Sequence, residues 1–399
     1  MNFNQITDRT IYPSVKWQAA NLQEHFGNPD ALPFWVADMD FPAPPAVIDS
    51  LRQRVEHGIY GYESKPASYN AAITNWYEKR HGWAINSEHI EDTPSVLSAI
   101  SVLISQHTEK GDGVIIQPPV FFEFRQAVRN NERRLVKNGL IFENGRYSIN
   151  FTDLEEKAAD PRNKMLILCN PHNPVGRVWT REELTRIGDI CLQHDVLIIA
   201  DEIHGDIVYA PHKYTPMASI SDAVAQITFT CLSPAKTFNI AGMVDALVVI
   251  ADDAHRAQFH AFAHRYQINK TNVFTITAVE AAYTHGEAWL DEVLAYLQGN
   301  ITFVRDYLQE NIPQISLVET EGTFLLWLNF NELGLDVKAL QALLGQEAGI
   351  ALNPGYWFGR EGAGFARMGI ACPRSVLEEA MGRVKKAILY SPHSSRRPE

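Results

Sequence analysis

Short apolar runs rich in branched side chains recur through the middle of the chain, at Gly113–Gln117, Met165–Cys169, Val196–Ala200, Ile227–Cys231 and Ala246–Ile250. Each is strand-sized and ends in polar or Gly/Pro punctuation, the pattern of strands buried on both faces. Helical patterns lie between some of them. Thr180-Arg-Glu-Glu183 reads as a capping box and predicts a helix running toward His194. Strand–helix alternation predicts an α/β fold: a large domain with a mostly parallel sheet covered by helices.

The last third has a different rhythm. A long helical stretch over Glu287–Glu310 precedes two predicted strands, Ile315–Val318 and Thr323–Asn329. A helix near Asp336–Ala348 and a loop over Asn353–Gly364 follow. Ser375-Val-Leu-Glu378 reads as a second capping box, opening a final helix to about Leu389. This predicts a smaller α+β domain. The expected division is an N-terminal segment 1–45 joining the small domain, a large domain 46–286, a small domain 287–390 and a mobile polar tail 391–399.

Composition narrows the function class. The 399 residues carry 35 Lys+Arg against 47 Asp+Glu, a formal charge of −12, with no basic block to grip nucleic acid. Cys169, Cys191, Cys231 and Cys372 are widely spaced and form no C-x-x-C pair, which disfavours disulfide scaffolds and zinc ribbons. The first residues lack the apolar core of a secretory signal, and no run approaches membrane-span length. A cytoplasmic protein is expected.

Three clusters could carry chemistry. Cys169-Asn-Pro-His-Asn-Pro-Val-Gly176 follows a strand; it could be a plain connection, or it could hold the Asn173 amide at the sheet edge where ligands of doubly wound folds sit. Asp201 ends a buried strand, with His204 three residues on; it could cap a helix, or face a protonated ring nitrogen. Lys236, in Ser233-Pro-Ala-Lys236-Thr-Phe-Asn-Ile-Ala-Gly242, could be a solvated surface lysine or a Schiff-base lysine in a polar cleft. His260 and His264 have helical spacing but lack the Glu of H-E-x-x-H, so no metal site is expected. Gly359-Arg-Glu-Gly-Ala-Gly364 lacks a following Lys-Ser/Thr and reads as a flexible loop.

In this order the clusters resemble the fold-type-I pyridoxal-phosphate enzymes of the class I/II aminotransferase family. More narrowly, they resemble its MalY/PatB-type cystathionine beta-lyase (C–S lyase) branch. The resemblance covers nearly the whole chain. It rests on Trp35-Val-Ala-Asp-Met-Asp-Phe-Pro42, Gly58-Ile-Tyr-Gly-Tyr62, Asn170–Gly176, Asp201-Glu-Ile-His204, Lys236–Gly242, Phe365-Ala-Arg-Met368 and Cys372-Pro-Arg374. It implies pyridoxal 5′-phosphate as cofactor, with Lys236 as its Schiff-base lysine. It further implies that Asp201 pairs with the pyridine nitrogen and Asn173 with the phenolic oxygen, with His204 beside them. Ser95, Val96 and Ser233 would hold phosphate, and Phe121 would stack on the ring. Arg367 would clamp the substrate α-carboxylate, with Ala37 and Tyr62 on the substrate side. Tyr62 would act in the partner's site of a homodimer with shared active sites.

The pattern has departures. Phe121 stands where the branch usually has Tyr, Val244 where many relatives have a phosphate-binding Arg, and Ala235 where some have a small hydroxyl residue. Tyr356 and Arg360 replace a small residue and an acid, which touches side-chain specificity. The implied activity is α,β-elimination from cystathionine or cysteine S-conjugates, giving thiol, pyruvate and ammonia. An aminotransferase is the nearest alternative, and a regulatory binding protein retaining the fold is another. His204 favours the lyase, because Ile-His after Asp-Glu is typical of that branch while many transaminases have Tyr there.

Overall fold

The computed structural model describes residues 1–390; the tail expected to be mobile, 391–399, lies outside the described residues. A seven-stranded sheet forms the centre. Its strands are β1 (Ile90–Thr93), β2 (Gly113–Ile116), β3 (Arg134–Lys137), β4 (Asn163–Cys169), β5 (Leu197–Asp201), β6 (Thr228–Leu232) and β7 (Ala246–Ile250), in the order β1-β7-β6-β5-β4-β2-β3. Pairs from β6 through β3 are parallel.

Strand β7 runs antiparallel to both β6 and β1. The apolar run predicted it as a strand but carries no direction. The chain between Leu232 and Ala246 forms two short helical turns rather than a covering helix, so it returns antiparallel instead of crossing over.

Alternation along each strand sends side chains to two separate cores. Ile115, Leu166, Leu168, Ile198 and Ala200 pack with Leu184 and Ile187 of the helix Arg181–Gln193. Val114, Ile116, Met165, Ile167 and Ile199 pack with Ile100 and Leu103 of the helix Val96–His107 and Phe259 of the helix Asp253–Tyr266. Burial on both faces explains the uninterrupted apolar runs. The Thr180 capping box forms as expected, with Glu183 N–H donating to Thr180 Oγ1 and Thr180 N–H donating to Glu183 Oε2.

The helix Glu287–Asn311 buries Leu290, Val293, Leu297, Ile301, Val304 and Leu308, one helical stripe. It covers a second sheet of β8 (Ser316–Leu317), β9 (Leu325–Asn329), β10 (Asn353–Pro354) and β11 (Phe365–Gly369), ordered β8-β9-β11-β10. The first residues contain a helix at Ala19–Phe26 and then dock on this module. Leu32–Pro33 pairs in parallel with Ile350–Ala351, Gly369 N–H donates to the Phe34 carbonyl at 2.9 Å, and Asp40 N–H donates to the Ala371 carbonyl at 2.8 Å.

Three local expectations need correction. The final helix begins at Arg374, so Ser375 lies within it and does not cap it. The helix expected over 336–348 is α-helical only over Val337–Gln341 and continues as a π-helix over Ala342–Glu347. The glycine-rich loop is not slack: two 3₁₀ turns occupy Gly355–Phe358 and Arg360–Gly362. There Gly355 and Gly362 meet backbone to backbone, and a Cβ on Gly355 would lie 2.0 Å from the Gly362 carbonyl oxygen.

The two modules are joined by a buried ion pair. Glu321 accepts from Arg177 Nε at 2.9 Å, from Val178 N–H at 2.8 Å and from Arg146 Nη2 at 2.6 Å. Burial alone would raise this carboxyl; Arg177, the Val178 N–H and Arg146 reverse that and hold it below its ordinary value of 4.5. Because the folded value is depressed, the stabilisation is present above the unfolded value and is lost as pH falls through the folded one. Glu321→Gln should lower stability by about 3–5 kcal/mol, since it leaves the Arg177 guanidinium with Glu183 as its remaining counter-charge. Urea unfolding at neutral pH would show this as a lower midpoint, and the deficit should shrink in acid.

Candidate active site

Three adjacent parallel strands deliver the polar groups to one sheet edge. Strand β4 ends at Cys169 and leads to Asn173; β5 ends at Asp201; β6 ends at Leu232 and leads through Ser233 to Lys236. A cavity of about 270 Å³ opens there. Ala37, Ser95, Val96, Phe121, Asn173, Asp201, His204, Ser233 and Lys236 all line it. The structure thus brings nine of the expected residues together from six separate parts of the chain.

Lys236 is nearly buried, and its Nζ donates to the Ala37 carbonyl at 2.7 Å. Desolvation pulls its pKa down to about 8; Asp38 opposes this, Arg367 adds to it, and Asp201 opposes it. Asp201 is pushed up to about 6 by burial, although its carboxylate accepts from Ile203 N–H at 3.2 Å and faces Lys236. His204 is driven down to about 3 by burial and then by Lys236 and Arg367, so it is a neutral ring. Its Nδ1 is buried without a partner, and the ring packs edge-on against Phe324 at 5.8 Å.

Arg367, on β11, does not itself line this cavity but reaches its wall through Asn173. Its guanidinium is buried, yet each of its acceptors is neutral. Nε and Nη2 donate to Asn353 Oδ1 at 3.1 and 2.7 Å, Nη1 donates to Asn173 Oδ1 at 2.9 Å, and Nη2 donates to the Trp35 carbonyl at 2.8 Å. Desolvation lowers its pKa to about 9. Phe358 lies under the guanidinium with its ring centre 4.9 Å away. A buried cation held only by amide oxygens is primed to accept a carboxylate.

At the other end of the cavity, Ser95 caps the helix Val96–His107, its hydroxyl accepting from Ser98 N–H at 3.1 Å. The open N–H groups at that terminus suit an anion. Ser233 is less free than expected: its hydroxyl donates to the Asp245 carbonyl at 2.7 Å and accepts from Ala235 N–H at 3.2 Å. Val244, at the position the resemblance assigns to a phosphate-binding arginine in many relatives, lines the cavity half-exposed at φ +56°. A β-branched residue in that left-handed region is strained.

Phe121 lines the cavity and packs on Phe122 and Phe124 at 5.1 and 5.7 Å. Tyr62 is fully exposed and does not line the cavity of its own chain. Tyr356 lies on a separate cavity and accepts from Gln341 Nε2 at 3.1 Å; Arg360 is exposed. His260 hydrogen-bonds Glu91 at 3.1 Å on the surface.

Sequence reading missed Asn353, which lay in the supposed loop and gains meaning only through the β10–β11 register that sets it opposite Arg367. It also passed over Asp206. That buried carboxylate accepts from Thr237 Oγ1 at 2.8 Å, from Trp76 Nε1 at 2.9 Å and bonds His81 Nε2 at 2.7 Å, pinning the turn that carries Lys236. An acid two residues after His204 gave no signal of this.

These groups fit the expected cofactor. A cavity holding a desolvated carboxylate, a lysine of lowered basicity and an open helix terminus offers partners for a ring nitrogen, an aldehyde and a phosphate. The model of the family described as aminotransferase class I and II matches residues 30–384. The chain is 41% identical over 388 residues to cystathionine beta-lyase PatB of Bacillus subtilis (strain 168), covering 97% of this chain and 100% of the relative. Among solved structures, a PLP-bound protein of Clostridium difficile 630 superposes with a TM-score of 0.94 at 47% identity, covering 97% and 99% of the two chains. Cystalysin from Treponema denticola, which contains pyridoxal 5′-phosphate, gives a TM-score of 0.94 at 34% identity over 97% and 98%.

The lowered Lys236 pKa has a direct test. In the full chain freed of cofactor, competitive acetic anhydride labelling of Lys236, read by peptide mass spectrometry, should reach half its plateau near pH 8. A lysine at its ordinary value of 10.5 would still be almost fully protonated there.

Proposed function

This chain belongs to the aminotransferase class I and II family, and from that premise we propose that it is a pyridoxal-phosphate-dependent carbon–sulfur β-lyase. Its substrates are cystathionine or cysteine S-conjugates, and its products are a thiol, pyruvate and ammonia. The observation that carries the reading is the buried Arg367 cation with neutral partners only, beside a Lys236 of lowered basicity: a carboxylate receptor next to a base. The lyase branch is supported by the similarity to PatB over the full length of both chains and by the Asp201-Glu-Ile-His204 motif.

When bound, pyridoxal 5′-phosphate supplies an electron sink for the substrate Cα carbanion. Asp201 would hold a protonated ring nitrogen, whose charge offsets the burial that raises the carboxyl. Asn173 gives its Oδ1 to Arg367, which leaves its amide N–H groups to donate to a phenolic oxygen. Ser95 and the N–H groups after it would take phosphate, and Phe121 would cover one ring face.

Arg367 would clamp the α-carboxylate and fix which Cα bond faces Lys236. Lys236 would take the Cα proton; a pKa near 8 leaves a useful neutral fraction at physiological pH while keeping basicity. The Ala37 carbonyl, already an acceptor for Nζ, would receive an N–H of the ammonium so formed. His204 stays neutral and adds no charge beside Arg367. Departure of the thiolate from Cβ and hydrolysis then give the products.

Tyr62, exposed in its own chain, would act in the partner's cavity of a homodimer. Placement in the cytoplasm is part of this reading; separately, among the described residues no helix is long and apolar enough to cross a membrane. An aminotransferase is the second reading, favoured by the aminotransferase designation of the Clostridium difficile protein.

With an S-substituted cysteine and no keto acid, the enzyme should release thiol and pyruvate over many turnovers. A single turnover, resumed when pyruvate or 2-oxoglutarate is added, would establish the transaminase instead. Arg367→Ala should raise KM by roughly 30-fold or more, because truncating one partner of a buried charge pair costs about 2–5 kcal/mol. Steady-state kinetics with cofactor occupancy checked by absorbance would read it.

A further inference from the structure

The Trp35–Pro42 stretch is stitched to the Lys236 turn through its main chain. The Ala37 carbonyl accepts from Lys236 Nζ at 2.7 Å. Asn239 Nδ2 donates to the Met39 and Phe41 carbonyls at 3.0 and 2.7 Å, and Met39 N–H donates to Asn239 Oδ1 at 3.0 Å. Asn239 adopts φ +55°, a left-handed conformation that asparagine tolerates better than most residues.

Two carboxylates of this stretch face two cations from the segment before it. Arg9 Nη2 lies 2.7 Å from Asp38 Oδ2 and Arg9 Nη1 lies 2.7 Å from Asp40 Oδ1. Lys16 Nζ lies 2.7 Å from Asp40 Oδ2 and 3.4 Å from Asp38 Oδ1. Lys16 and Asp40 form the buried half, with side chains 4% and 8% exposed; Arg9 and Asp38 are 23% and 22% exposed. Asp40 is fully engaged, accepting also from Trp17 Nε1 at 3.3 Å.

Asp38 is not. Its Oδ1 is buried and accepts no hydrogen bond. Leaving a carboxylate oxygen buried without a donor is costly, so its retention calls for a charge that uses it. Its nearest cation is Lys16 Nζ at 3.4 Å; Lys236 makes no ion pair with it, but bonds the carbonyl of the preceding residue and lies within reach of its charge. The other charged or titratable groups facing Lys236 are Arg367 on β11, Asp201 at the end of β5, and His204.

We propose that Asp38 is a positioning residue, held in place by Arg9 and Lys16, which keeps the Ala37 carbonyl against Lys236 and a negative charge facing its ammonium. The inference deepens the proposed function and rests on it for the role of Lys236 as base. Its labelling readout needs no turnover, so the lyase reading could fail without affecting it.

The test uses the full chain freed of cofactor and the acetic anhydride titration of Lys236. Asp38→Asn should move the labelling midpoint down by about 1 pH unit, because a facing anion is lost. Asp38→Glu, which keeps the charge, should stay within a few tenths of wild type. Asp40→Asn removes a carboxylate of the same cluster that does not act on Lys236. It should lower the melting temperature while leaving the midpoint in place. The proposal is overturned if Asp38→Asn melts earlier with an unmoved midpoint, or if Asp40→Asn moves it equally. Should Asp38→Asn fail to fold, a midpoint for Asp38→Glu displaced as far as about 1 unit would also overturn it.

Discussion

A guanidinium buried among neutral oxygens is the constraint around which the site is arranged. Arg367 draws its acceptors from three places far apart in sequence: Trp35 in the first segment, Asn173 after β4 and Asn353 on β10. Desolvation weakens the cation, and amide dipoles recover only part of that cost. The fold therefore holds an unsatisfied charge, ready for a small anionic ligand. Because Asn173 serves the guanidinium with its oxygen, the same side chain presents its N–H groups to the opposite side of the cavity. In the proposed reading, one amide would thus fix the spacing between the carboxylate receptor and the floor of the cofactor ring.

The electrostatics of the cavity follow from the same dryness. Burial raises Asp201, lowers Lys236 and lowers His204, each toward its neutral form. Such a cavity is poor at holding its own charges and good at exchanging protons with a bound molecule. Asp206 works differently: hydrogen bonds from Trp76, His81 and Thr237, with the Arg80 guanidinium 3.9 Å away, tie the turn carrying Lys236 to the neighbouring helix.

Much of this was legible in the sequence, for identifiable reasons. Strands buried on both faces must be apolar throughout, so the first polar residue after each one marks the sheet edge; that rule finds Asp201 and Ser233, whereas after Cys169 it stops at Asn170, three residues short of Asn173. What it cannot give is direction, and β7 runs opposite to its neighbours. Contacts between distant segments were also invisible. Asn353 and Asp38 matter through a strand register and an ion cluster that no local pattern encodes. The Ser375 box failed because Arg374 had already begun the helix, and the π-helix over Ala342–Glu347 has no sequence signature that we can identify.

The pairing of Leu32–Pro33 with Ile350–Ala351 carries a consequence for biosynthesis. The central sheet closes on residues between Ile90 and Ile250 and can form while the rest of the chain is still being made. Leu32–Pro33, which leads into the Trp35–Pro42 stretch, has no partner strand until Ile350–Ala351 has left the ribosome. Closing so long a loop is slow, and it comes last. A nascent chain would therefore own its lysine well before it owned the carbonyl that orients it. Truncation near residue 350 would leave Leu32–Pro33 without its partner strand and the N-terminal segment held by its contacts with Asn239 and the Glu287–Asn311 helix alone, making the N-terminus the early reporter of a damaged C-terminus.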